Sequence, residues 1–158
     1  MFANEAFKSH VNTIAASLVG ILALLLGFTF SLSLHRFDSR SEAVVDEANA
    51  IGTTYLRSQL LPAEVRNDVK KLLREYLDLR VKASTMTLAD QAQRELLFAQ
   101  AGHTQTALWG YARQAAERDP NPVTSGLFIQ ILNELIDCFG KRDAALNRHV
   151  PEIVLLLL

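Results

Sequence analysis

The sequence predicts an all-α protein in which a membrane-spanning helix continues into a cytoplasmic helical bundle. Three observations carry this. Residues 11–34, VNTIAASLVGILALLLGFTFSLSL, are 24 consecutive positions without a charge. Almost every long segment after them repeats its apolar residues with the 3.6-residue period of a helix. Four prolines and seven glycines in 158 residues are too few for a small all-β fold built on many turns.

At ~1.5 Å rise per residue the uncharged run makes roughly 36 Å of helix. That length crosses a hydrocarbon core of about 30 Å with some tilt. A secretory signal peptide needs a basic start, an apolar stretch of about 7–15 residues and a small-residue cleavage site. The flank over residues 1–10, MFANEAFKSH, holds one Lys and one Glu, and SLSLHRFD is a poor cleavage site. A core helix of this length is seldom apolar all round. Within the run, Ala16, Gly20, Ala23, Gly27 and Ser31 recur at spacings of three or four. Small residues on one face let another helix backbone approach closely in lipid, where packing drives association. Arg36 and Arg40 follow the run and Lys8 precedes it, so the charge bias places residues 35–150 in the cytoplasm, with the span in the cell's inner membrane.

Beyond the span no turn signal appears until Leu60-Leu61-Pro62, so the span is expected to continue as one helix. Phe37, Val44, Ala48, Ile51 and Tyr55 form its apolar stripe, with Asp38, Glu42, Asp46, Glu47 and Arg57 mostly off it. Pro62 suits a first helical position. The next helix aligns Val65, Val69, Leu72, Tyr76 and Leu79, with Arg66, Lys70, Lys71, Arg74, Glu75, Asp78 and Lys82 on a solvated side. Thr87-Leu88-Ala89-Asp90 has the pattern of a capping box. A third helix to about Glu117 turns Leu97, Ala101, Thr104, Leu108, Tyr111 and Ala115 inward. Asp119-Pro120-Asn121-Pro122 ends it. Asn121 then caps a fourth helix with Pro122 just inside. That helix buries Phe128, Ile131, Leu135 and Cys138 or Phe139 and loosens at Gly140. A final amphipathic piece reaches Pro151. Residues 151–158, PEIVLLLL, read as the start of a further, truncated span, since alone they would be an unprotected apolar patch.

Charge and motifs exclude several classes. Sixteen basic against 17 acidic residues leave a net charge of −1, with no basic excess to attract nucleic acid. The one cysteine, Cys138, rules out an internal disulfide framework and any CxxC site. His10, His35, His103 and His149 have no metal-ligand spacing. There is no glycine-rich phosphate loop and no GxSxG elbow. The expectation is a protein that is not an enzyme and carries no cofactor or metal. Two polar clusters remain: Asp46, Glu47 and Asn49 after the span, and Asn133, Glu134 and Asp137 on the fourth helix. They are candidates for a structural polar network or a solvated face, or else for lining a vestibule or binding an ion at a subunit interface.

Three stretches in order, GFTFSLSLHRFDSRSEAVVDEANAIGTTYLRSQLLP, LLREYLDLRV and GLFIQILNELID with KRDAALNRHVP, resemble the bacterial bestrophin-like membrane family. The resemblance runs from Val11 to about Glu152, and EANAIGTTYLRSQLL is its most specific part. It implies two spans before a large cytoplasmic helical domain and two after. Measured against that plan, the chain is expected to lack the first span and the last two. It also implies a homo-oligomer in the lipid bilayer with anion-channel-like function. The alternative is a membrane-anchored helical scaffold or sensory module without transport activity.

Overall fold

The computed structural model describes residues 2–87 and 90–147. Among them there are four helices and no strand: α1 (Phe2–Arg57), α2 (Ala63–Thr85), α3 (Gln91–Arg118) and α4 (Leu127–Asn147). The chain divides into two compact units. One takes Ala43–Ala144, and the other takes the chain up to Glu42 together with the segment from Ala145. Residues 151–158, with the expected second apolar segment, lie outside the described residues.

In the first unit α1 is helical throughout residues 11–34, and nearly all its large side chains stay exposed: Leu18 is 62% and Phe30 67% accessible. A stripe of this kind in water would be an apolar patch far larger than soluble monomers carry. Several polar side chains inside the run bond within their own helix. Ser17 donates to the Thr13 carbonyl at 2.9 Å, Thr29 to those of Leu25 and Leu26, and Ser33 to that of Thr29 at 2.9 Å. Hydroxyls that fold back onto the preceding turn leave no unmet donor, which is the requirement of a helix in hydrocarbon. Near the unit's other end, Arg40 donates to the carbonyls of Ala145 and Leu146 at 3.2 and 3.3 Å. Helix-end carbonyls lack intrahelical partners, and a guanidinium supplies them.

In the second unit the core is built from Leu61, Val65, Val69, Leu73 and Tyr76 on one side and Leu108, Phe128, Leu132 and Leu135 on the other. The inward residues expected on the third and fourth helices are buried, with Tyr111 half-buried. A single turn of 3-10 helix, Ser58–Leu60, and Pro62 separate α1 from α2, so Pro62 stands one position before the helix rather than in it. Asn121 accepts from the Val123 amide at 2.9 Å with Pro122 at the first position, opening a π-helical turn over Pro122–Gly126 that runs into α4. Asp119 holds this turn too, accepting from the Thr124 hydroxyl, while its carbonyl accepts from Ser125. Gly140 does not loosen α4, which stays helical through Asn147. Before α3, the Thr87 hydroxyl donates to Asp90 at 3.0 Å, but Asp90 makes no side-chain cap bond, so the capping box is not formed as expected. Leu88 and Ala89, its middle residues, lie outside the described residues.

The stripe of α1 corrects the sequence expectation. Phe37, Val44 and Ala48 are exposed, and Ile51 and Tyr55 are half-buried. The buried face is Ala43, Glu47, Ala50 and Thr54, continued by Ser58 in the turn that follows. Small side chains allow close helix approach, so the packed face of α1 is the one with less apolar bulk. The one large group on it, Glu47, is an acid.

Candidate functional site

Glu47 is fully buried, and its carboxylate draws residues from two other helices. Arg80, on α2, forks onto it: Nε donates to Oε1 at 2.7 Å and Nη2 to Oε2 at 3.1 Å. Tyr76, one turn earlier on α2, donates its hydroxyl to Oε1 at 2.5 Å. Arg142, near the end of α4, donates from Nη1 to Oε2 at 2.6 Å. Gln105 of α3 donates to the Tyr76 oxygen at 3.4 Å. Phe139 adjoins the cluster: the Arg80 guanidinium lies 4.7 Å from its ring centroid, and Phe98 stacks on the same ring with centroids 4.4 Å apart.

The electrostatics follow from this geometry. Burial pushes the Glu47 carboxyl up, but hydrogen bonds from Arg80, Tyr76 and Arg142, together with the charge of Arg80, outweigh it and hold the group below its ordinary value. Burial and the neighbouring Glu47 charge push the Tyr76 hydroxyl far up, so Tyr76 stays a neutral donor. A carboxylate has about four lone-pair sites, and four donors occupy them here. No acceptor capacity is left for a metal ion or a proton in transit. Chemically the cluster is an anchor: one acid, two guanidinium groups and a phenol binding α1, α2 and α4 together, with α3 attached through Gln105.

Of the six residues expected in a polar network, only Glu47 enters one. Asp46, Asn49, Asn133, Glu134 and Asp137 are exposed. Asp46 and Glu134 nonetheless lie close enough to Cys138 for their charges to bear on it, alongside Lys141. The small residues Ala16, Gly20, Ala23, Gly27 and Ser31 are exposed on α1, and nothing lies within 4 Å of where a Cβ on either glycine would sit. Among the described residues no group of His, Cys, Asp or Glu could hold a metal ion. Tyr76, Arg80, Gln105 and Arg142 were missed as site residues. For Arg80 a signal existed: it follows Tyr76 by one turn on the stripe of Val65, Val69 and Tyr76, where an unpartnered arginine would be out of place.

A family model described as Bestrophin-like domain matches residues 3–158. The chain belongs to this family. The match spans both the apolar part of α1 and the whole of the helical unit around Glu47, so this Bestrophin-like chain presents the two as parts of one domain. No curated protein and no solved structure matches it.

Proposed function

We propose that the chain is an integral membrane subunit of an oligomeric, anion-channel-like assembly. Residues 11–34 cross the cell's inner membrane, and residues 35–150 stand in the cytoplasm as a helical domain without enzymatic activity. The observation that carries this is the bare apolar surface of α1: its span-length uncharged run is unburied by its own chain, with every hydroxyl within it that bonds doing so to its own helix. Membership of the Bestrophin-like family supports the channel part of the reading. A water-filled path needs walls of helix on every side. One described span per subunit supplies one wall, so several copies must gather around the path.

The test is chloride efflux from liposomes, run with this chain and with a four-span version of the kind the family resemblance implies, each checked for assembly by cross-linking. Flux that depends on assembly supports the reading. Assembled protein that passes neither chloride nor another small anion overturns it. That outcome selects the second reading, a membrane-anchored scaffold, which draws on the unbroken run of α1 from Phe2 to Arg57. Recovery of the protein in the soluble fraction after a carbonate wash would overturn both.

A further inference from the structure

We infer that Tyr76, Arg80 and Arg142 form a carboxylate-binding site, ready-made on α2 and α4, whose resident ligand is the side chain of Glu47. The joint of α1 with these two helices is then a binding event within one chain. A small free carboxylate takes the same place once the tethered one is removed.

A simple ion pair and a receptor differ in what holds the donors. In the pair, the cations take their places from the acid. In a receptor, other contacts place them, and they stay when the acid leaves. Here the donors of α2 have other holders. The Arg80 guanidinium lies 4.7 Å from the Phe139 ring centroid, a cation–π contact in which Glu47 has no part. Phe139 in turn stacks with Phe98 of α3, and its centroid lies 6.3 Å from that of the Tyr76 ring. The Tyr76 oxygen accepts from Gln105 at 3.4 Å, which leaves its own hydrogen to point at Oε1 of Glu47. Tyr76 and Arg80 are 0 and 6% accessible, so neither swings into water without opening the core. Arg142 completes the set from α4, and its side chain, at 12%, is the most accessible of the ionic group.

The donor set suits a planar anion with two oxygens. Arg80 presents Nε to one oxygen and Nη2 to the other, the fork that carboxylates fill. Each oxygen then takes one further donor, Tyr76 on Oε1 and Arg142 on Oε2. A halide is a single centre and does not meet donors spread over two oxygens. Charge points the same way. Two guanidinium groups stand against one carboxylate, so its removal leaves two buried or half-buried cations without a counter-charge, a strong demand for an anion.

Glu47→Ala tests it on the full chain in detergent at neutral pH. The change removes Cγ, Cδ and both carboxyl oxygens; acetate brings a methyl carbon, a carboxyl carbon and two oxygens to the same volume. Thermal midpoints are read against sodium acetate, with sodium chloride at equal ionic strength as the reference. The midpoint of the variant should climb several degrees further in acetate, with the logarithm of its concentration once the site fills. The parent chain should show no such difference, because its tethered carboxylate holds the site at an effective concentration that acetate does not match. Adding Arg80→Met to Glu47→Ala should abolish the gain. If Glu47→Ala is unfolded at the outset, helicity by circular dichroism is titrated instead, and acetate should restore it where chloride does not. A response confined to Glu47→Ala supports the inference. A variant that gains no more from acetate than from chloride overturns it, as does an equal gain in the parent or in the doubly substituted chain. Neither flux nor assembly enters this readout, so its failure leaves the channel reading standing.

Discussion

Between residues 11 and 34, α1 carries leucines and phenylalanines on the outside; between Ala43 and Arg57 the same helix carries a carboxylate on the inside. Each stretch, taken alone, inverts what water would select. The difference lies in what surrounds each. The first meets no protein, and hydroxyls of Ser17, Thr29 and Ser33 turn back on the helix, as hydrocarbon demands. The second meets two arginines and a tyrosine that saturate the acid. Burial of charge and exposure of hydrocarbon are both tolerable when the environment supplies the missing partner: protein donors in one case and lipid in the other.

The largest expected effect breaks the inner side of this comparison. Glu47→Leu leaves Arg80 and Arg142 buried or half-buried without their counter-charge, and should cost about 3–5 kcal/mol of stability. Thermal unfolding in detergent reads it; a midpoint unmoved from that of the parent chain would mean the cluster anchors nothing. Replacing all three ionic groups together, by Leu at 47, Met at 80 and Leu at 142, should recover most of the loss, since no lone charge is then left. Acid should act in the same direction as the single change. The folded Glu47 carboxyl lies below its ordinary value of 4.5, so its contribution is complete above that value and disappears as pH falls through the lower folded one. A stability profile that is flat from neutrality down through pH 4 and below would contradict the arrangement.

Next in size is a change on the outer side. Leu24→Arg places a charge at the middle of the uncharged run, at a cost of about 2.5–3.5 kcal/mol for insertion. Membrane recovery after a carbonate wash should fall, whereas Asn49→Arg, exposed on the same helix, should leave it unchanged. Equal recovery for the two variants would remove the distinction between the segments. Tyr76→Phe keeps the ring and deletes one donor to a charged acceptor, for about 1.5–3 kcal/mol. The smallest effects belong to exposed polar groups: Asn133→Ala should shift folding stability by less than about 0.5 kcal/mol. A larger shift there would show a network that the structure does not contain.

Much of the fold was readable in particular residues. Asn121-Pro122 announces a cap in one dipeptide, because a side-chain acceptor and a fixed φ act locally. Phe128, Ile131 and Leu135 announce the buried face of α4, because nothing competes with them for it. The first helix was harder, since it carries two apolar faces. Its bulkier one, with Phe37 and Val44, is exposed, while Ala43, Ala50 and Thr54 pack inward. Weighing hydrophobic bulk selects the wrong side where close approach of backbones sets the packing. The anchor itself was half legible. Glu47 stood among the candidate polar residues, and Arg80 follows the apolar stripe of α2 by one turn. Arg142, between Lys141 and Asp143, looks like any solvated charge. Only the fold brings it across 95 positions to Glu47.

The lone thiol of Cys138 lies on α4, one turn before Arg142 and only 5% accessible. Burial pushes its ionisation up, so thiolate is scarce there at neutral pH. A sulfhydryl reagent waits on two rare events, the lifting of α4 and the loss of the proton. Its rate is therefore a clock for breathing of the helical body, running faster wherever the grip on α4 slackens. With one cysteine in the chain, every mole of label counts openings at a single, known place.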